Sequence, residues 1–81
     1  MDQPFLGMIV LLPYTFTVER WALCDGRLLS IAQNAALFAL LGNQFGGDGR
    51  TTFALPNLPG PSSGLRYQIA LSGIFPLRAD S

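Results

Sequence analysis

The stretch Phe45–Gly60, FGGDGRTTFALPNLPG, places three glycines around one acid and follows them with an arginine and two threonines. A phosphate-binding loop has a lysine before its Ser/Thr and opens a helix, so that backbone N–H groups face the phosphate. In this chain Arg50 stands at the lysine position, Gln44 stands at the first glycine position, and the glycines follow a helical segment. The pattern therefore predicts a structural turn, formed by Gly46, Gly47, Asp48, Gly49 and Arg50.

Residues with catalytic or metal-binding chemistry are scarce. A calcium loop needs several spaced carboxylates, and Asp48 is alone in its loop. The chain has no histidine and one cysteine, Cys24, which excludes Cys-His and Ser-His-Asp triads and any thiolate cluster. We expect Cys24 to be a small buried apolar side chain rather than a reactive thiol. The carboxylates show no paired spacing: Asp2, Glu19, Asp25, Asp48 and Asp80. The sequence predicts no enzyme, no cofactor and no metal.

Two strands are predicted after the glycine-rich turn. Phe53 and Leu55 alternate with smaller or polar residues, which is typical of a half-buried strand, and Pro56 ends it. The segment 59–64 is rich in Pro, Gly and Ser and is predicted to be a loop. The last strand has two alternating faces, with Tyr67, Ile69 and Leu71 on one and Arg66, Gln68, Ala70 and Ser72 on the other.

One helix is predicted between residues 31 and 41. Ser30 and Gln33 have the spacing of a capping box, in which each side chain accepts a backbone N–H of the first turn. Gly42 follows the last apolar residue, where a helix often ends in a left-handed residue. A broad apolar face suited to a core is formed by Ile31, Leu37, Phe38 and Leu41.

The dipeptide Asp25-Gly26 lies between the apolar runs Trp21–Cys24 and Arg27–Leu29. Asp-Gly between two such runs is a strong local signal for a hairpin, because both central residues of the tight turn take positive φ. The sequence therefore predicts that these two runs pair with each other.

The N-terminal run Phe5–Leu12 is apolar except for Gly7 and is too short to span a bilayer, which takes about 20 residues. Asp2 precedes it and Pro13 follows it, unlike a Sec signal, so if the protein leaves its cell it needs another route such as lysis. The run predicts a strand buried on both faces. Its apolar residues are the predicted oligomer interface: Phe5, Leu6, Met8, Ile9, Val10, Leu11 and Leu12.

Composition indicates self-association. The chain of 81 residues is expected to be one domain, 1–81, with 49% hydrophobic and 12% charged residues and a formal net charge of zero. A small domain with so few polar groups hides excess apolar surface by association, and a chain with no net charge does not repel its copies. No basic patch suits nucleic acid. The expected fold class is α+β, with short antiparallel strands, hairpins and one helix.

The run Trp21–Gly60, WALCDGRLLSIAQNAALFALLGNQFGGDGRTTFALPNLPG, resembles the phage tail collar domain, as found in the tail-fibre-like microcystin-dependent proteins. The likeness extends from Gly7 to about Gly60 and resumes at Tyr67–Pro76. It implies a small collar fold in an extracellular or virion-associated fibre, with the glycine-rich stretch as a structural turn. The chain has PGPSSGLR where typical members carry a longer glycine-rich segment. That segment and its histidines are missing, so metal binding is not implied.

Two functions remain open from the sequence. One is a self-assembling structural subunit of a phage-tail-derived fibre or extracellular filament, either a closed trimer or an open chain of copies. The alternative is a module of a phage or phage-tail-like particle that binds a cell-surface receptor or glycan. The hydrophobic excess and the shortened middle segment favour the structural subunit.

Overall fold

The computed structural model describes residues 4–13 and 18–76. Along the chain these form β1 (Ile9–Pro13), β2 (Trp21–Leu23), β3 (Leu28–Ser30), α1 (Ala35–Leu41), β4 (Thr52–Ala54) and β5 (Leu65–Ala70). The α+β class is confirmed. In the described residues, no helix is long and apolar enough to cross a membrane.

The strands form two antiparallel sheets. β5 is the middle strand of a three-stranded sheet in the order β1-β5-β2, and β3 pairs with β4 in a second sheet. Ile9 lies opposite Ile69 and Pro13 opposite Leu65, while Trp21 lies opposite Ala70. Every pairing joins segments that are distant in sequence, so the fold depends on long-range contacts.

The predicted hairpin at Asp25-Gly26 is wrong. β2 pairs with β5 and β3 pairs with β4, so the chain passes from one sheet to the other at this point. Gly26 has φ +82°, whereas Asp25 does not have the positive φ that a tight hairpin turn needs. The dipeptide instead contacts the segment after β4, because Asp25 bridges to Asn57 and the N–H of Gly26 donates to the C=O of Pro56 at 3.2 Å.

The N-terminal strand starts later than predicted, at Ile9 rather than Phe5. The N–H of Gly7 donates to the C=O of Ala70, and the N–H of Ala70 donates to the C=O of Met8. Gly7 and Met8 therefore both lie opposite the single residue Ala70. This is a bulge, and Gly7 takes φ +82° in it. Before the bulge, Phe5 forms an isolated bridge with Ile74.

The helix also starts later, at Ala35 rather than Ile31. The N–H of Ile31 donates to the C=O of Thr51 at 3.0 Å, which extends the β3-β4 pairing past Ser30 and delays the helix. Asn34 is the N-cap residue and makes no side-chain capping bond there. The predicted end is confirmed, because Gly42 has φ +62° and its N–H donates to the C=O of Phe38 at 2.7 Å.

The core lies between the two sheets and the helix. Its buried apolar residues are Leu6, Ala22, Cys24, Leu37, Phe53, Leu55 and Ile69. The ring of Phe38 lies 5.3 Å from that of Phe53, a tilted aromatic pair. β4 and β5 are more deeply buried than their alternating patterns predicted, because Ala54 is buried beside Phe53, and Gln68, Ile69 and Ala70 are all buried. The glycine-rich loop lies over Ala54, and the N–H of Ala54 donates to the C=O of Gly46 at 3.0 Å.

Candidate functional site

Asp48 organises the glycine-rich turn through its carboxylate. One carboxylate oxygen accepts the backbone N–H groups of Arg50 (2.8 Å), Thr51 (2.9 Å) and Thr52 (2.9 Å). The other oxygen accepts the hydroxyl of Thr51 at 2.9 Å. These bonds hold the pKa of Asp48 far below its usual range, and the bond from the Thr52 N–H has the largest effect. The carboxylate is therefore occupied in holding the turn.

The glycines of the turn meet both steric and conformational demands. Gly46, Gly47 and Gly49 all have positive φ. A Cβ on Gly47 would lie 2.5 Å from the Cα of Phe53, and one on Gly49 would lie 2.7 Å from Nδ2 of Asn43. The loop follows α1 and precedes β4, so no helix begins in it to bind an anion. Its geometry holds the helix end against the strand that carries Phe53.

Asp25 and Arg27 form an ion pair next to the point where the chain passes from one sheet to the other. The Arg27 guanidinium donates to both carboxylate oxygens of Asp25, at 3.0 and 2.9 Å. The side-chain bond from Arg27 lowers the pKa of Asp25 and raises that of the arginine. This exposed ion pair positions backbone and contributes little free energy.

The described residues contain no group of three His, Cys, Asp or Glu side chains that could hold a metal ion. Cys24 is buried, and its desolvation raises the pKa of the thiol to about 11. It is therefore protonated at neutral pH and is a poor nucleophile. No catalytic arrangement is assembled by the described side chains.

The predicted interface residues on the N-terminal run go to four different environments. Leu6 is buried in the core of its own chain. Ile9 and Leu11 lie opposite Ile69 and Tyr67, on the core face of the sheet, yet at its edge they remain 41% and 39% exposed. Phe5 is exposed, at the end of the sheet. The remaining three, Met8, Val10 and Leu12, lie on the opposite face, which we term the outer face.

The outer face is apolar on its two flanking strands, whereas β5 contributes Arg66, Gln68 and Ala70 to it, of which Gln68 and Ala70 are buried. Residues opposite one another in an antiparallel pair share a face, so the register places Val10 beside Gln68 and places Gln68 beside Leu23. The outer face therefore consists of Met8, Val10, Leu12, Trp21, Leu23, Arg66, Gln68 and Ala70. Within the described residues, none of them belongs to the core cluster, to which α1, β3 and β4 contribute from the other side.

Trp21 and Leu23 are members of this surface that sequence reasoning assigned to a hairpin. Both are half-buried, and they lie across β5 from the residues of β1. Their two-residue spacing marks one strand face, which is a signal present in the sequence. The face they share with β1 depends on long-range pairing with β5, which that spacing does not reveal.

β1 also has a free edge. The bond from the N–H of Ala70 to the C=O of Met8 fixes that pair as hydrogen-bonded. Alternation along an antiparallel ladder then directs the N–H and C=O groups of Val10 and Leu12 towards β5, and those of Ile9 and Leu11 away from it. Among the described strands none pairs with β1 on that side. We term this row of backbone groups the outer edge.

At the end of the sheet, near Phe5, lies an open groove of about 400 Å³. It is lined by Phe5, Ile74, Phe75 and Pro76. The bonds that build it run from the N–H of Leu6 to the C=O of Ile74 and from the N–H of Ile74 to the C=O of Pro4, both 2.9 Å. We term it the aromatic groove.

The model of the family Phage Tail Collar Domain matches residues 7–62, more than half of the chain. The matched region includes β1, the Asp25–Arg27 ion pair, the helix and the glycine-rich turn with Asp48. Comparison with curated proteins and with solved structures finds no match. The chain therefore belongs to the phage tail collar domain family, whose members are structural modules of the phage tail fibre type.

Proposed function

We propose that this chain is a self-assembling structural subunit of a phage-tail-derived fibre or filament, and that its copies join through β1. The observation that carries the proposal is that β1 combines a free backbone edge with apolar side chains. β1 has an edge whose backbone groups are free of other described strands, and its two residues on the outer face, Val10 and Leu12, are apolar and only half-buried. A neighbouring strand added at the edge would satisfy both the backbone groups and the apolar side chains.

The composition supports the same conclusion. An exposed apolar edge strand is an aggregation hazard unless it is covered, and proteins often protect it with charged side chains. β1 reads IVLLP and carries no charge. With 12% charged residues and no net charge, the chain has little electrostatic protection against association. Orderly assembly through β1 covers this surface.

Substitution at Leu11 tests the proposal without disturbing the core. Leu11 is 39% exposed in β1, and Leu28 is 59% exposed in β3 of the other sheet. Leu11→Lys should reduce assembly sharply, because a charge then lies at the joining strand, while the matched control Leu28→Lys should keep the assembly of the unmodified protein. Sedimentation velocity measures both.

Equal assembly of the two lysine variants would overturn the role of β1. A protein that is monomeric at all concentrations before any substitution would favour the receptor-binding alternative instead. Deletion of residues 1–12 should also abolish assembly, but it removes Leu6 from the core, so poorly folded monomer is the expected product.

A further inference from the structure

A proline-containing loop lies at the opposite end of the sheet from the aromatic groove. The loop 59–64 leads directly into Leu65, which pairs with Pro13, whereas the groove lies beyond the Ile9 and Ile69 pair. β5 has six residues, so at about 3.3 Å per residue some 20 Å of strand separates the two features. Each copy therefore carries the loop at one end and the groove at the other.

The loop is exposed and held in one shape. Pro59 and Pro61 are both exposed. Gly60 packs so closely on the carbonyl of Leu65 that a Cβ has no space there, and the N–H of Leu65 donates to the C=O of Ser62 at 3.2 Å. A segment that is already ordered loses less conformational entropy when it binds.

The groove has the complementary chemistry. Two of its four lining residues are aromatic, and Phe5, Ile74 and Phe75 are all exposed. Grooves lined by aromatic rings are a recurrent binding site for proline-containing segments. Its volume, about 400 Å³, is in the range of pockets that enclose a small ligand. Neither the groove residues nor residues 59–64 carry a charge, and Arg66 is the charged residue that lines the same surface as Pro59 and Gly60.

We propose that the Pro59–Pro61 loop of one copy docks in the aromatic groove of a second copy. The contact is heterologous, because the two surfaces differ, and it leaves a free groove at one end and a free loop at the other. Copies or closed oligomers joined in this way form a head-to-tail stack that grows without a fixed end. This inference rests on the proposed function, since it assigns the end-to-end contact of an assembly whose lateral contact is β1.

Two variants with defects on opposite surfaces test the contact. The loop variant, Pro59→Ser with Pro61→Ser, keeps its groove, and the groove variant, Phe75→Ser, keeps its loop. Phe45→Ser is the matched control, because Phe45 and Phe75 are similarly exposed, at 45% and 47%, and Phe45 lies outside the groove. Sedimentation velocity over a concentration series measures growth, and thermal melting confirms that each variant folds. Phe5→Ser replaces the groove variant if Phe75→Ser fails to melt cooperatively.

Each variant alone should stay below the mass that the Phe45→Ser control reaches at the same concentration. When the two variants are assembled separately and mixed in equal amounts, one intact loop meets one intact groove, so the mass should rise above that of either component. Growth of either variant alone to the mass of the control, or a mixture that stays at the mass of its components, would overturn the contact. The outcome for Leu11→Lys reports on β1 separately, so failure of the proposed function and failure of this contact are distinguishable.

Discussion

Asp48 and Thr52 hydrogen-bond to each other in both directions. The N–H of Thr52 donates to the Asp48 carboxylate at 2.9 Å, and the N–H of Asp48 donates to the Thr52 hydroxyl at 3.3 Å. The pair closes the glycine-rich turn at the first residue of β4. Phe53 follows at once and is fully buried, so the turn sets the position of the largest side chain in the core.

The Asp48 clamp should make stability depend on acid pH. The folded pKa lies far below the value of about 3.9 expected in the unfolded chain, so between these two values the unfolded chain binds more protons than the folded one. The stabilisation is therefore complete above the unfolded pKa and is lost as the pH falls from about 5 towards the folded pKa.

Urea unfolding between pH 2 and pH 7, about the range over which Asp titrates, measures this loss in the unmodified protein and in Asp48→Asn. The asparagine variant should be less stable at neutral pH and should lose less stability in acid. Asp25, whose pKa is also lowered, titrates in both proteins, so the difference between them isolates Asp48. Parallel pH profiles would contradict the role of Asp48.

Much of the glycine-rich turn could be predicted from the sequence because its chemistry is local. Asp48, its three backbone donors and its glycines all lie within a few residues, and residue types with positive φ or side-chain acceptors identify such turns. The helix end at Gly42 was predictable for the same reason. The start was not, because the N–H of Ile31 bonds to Thr51, twenty positions away in sequence.

The sheet could not be predicted in the same way. Asp25-Gly26 carries a strong local hairpin signal, yet β2 pairs with β5, more than forty residues later. Gln68 lies in an alternating pattern that predicts exposure, and it is buried between Val10 and Leu23 of the two neighbouring strands. Pairing partners of this kind are fixed by the whole core, so the outer face with Trp21 and Leu23 also escaped sequence reasoning.

Substitutions at four glycines should rank by backbone conformation and available space. Gly47→Ala should cost at least about 2 kcal/mol, because positive φ is strained for alanine and the Cβ meets the backbone of Phe53. Gly42→Ala should cost about 1–3 kcal/mol, because φ +62° with ψ −158° is a backbone region essentially restricted to glycine, although its Cβ has open space. Gly64→Ala should change the free energy of unfolding by less than about 0.5 kcal/mol, because Gly64 has no positive φ and its Cβ has open space.

Gly49→Val belongs to the same series and should destabilise the fold, because a β-branched residue is forced to φ +73° beside Asn43. Chemical denaturation gives all four free energies of unfolding. A Gly47→Ala protein as stable as Gly64→Ala would show that the turn does not have the geometry described.

Proline substitution separates the two edges of β1. The N–H of Leu11 points to the outer edge, and that of Val10 points to β5. Leu11→Pro should therefore keep the sheet and weaken assembly, because it removes a donor that only a neighbouring copy would use. Val10→Pro should lower the melting temperature, because it breaks a bond of the β1-β5 ladder. If Leu11→Pro unfolds the chain and Val10→Pro does not, the N–H of Leu11 does not lie at the free edge of β1.

Chelators and nucleotides should not alter the fold. The described residues hold no metal-binding cluster, and the loop at Gly46–Thr52 has its acid occupied by backbone N–H groups. Melting curves with and without EDTA, and with and without ATP, should coincide. A stoichiometric metal in elemental analysis, or a rise in melting temperature with nucleotide, would require a site that this geometry does not provide.

The light-scattering mass of the protein at micromolar concentration decides whether copies of this chain assemble with one another. The chain mass is 8.7 kDa. We expect a folded species of several times that mass. A mass of 8.7 kDa together with a cooperative thermal melt would contradict this expectation, because the free edge of β1 and its half-buried apolar side chains would then be stable in an isolated chain.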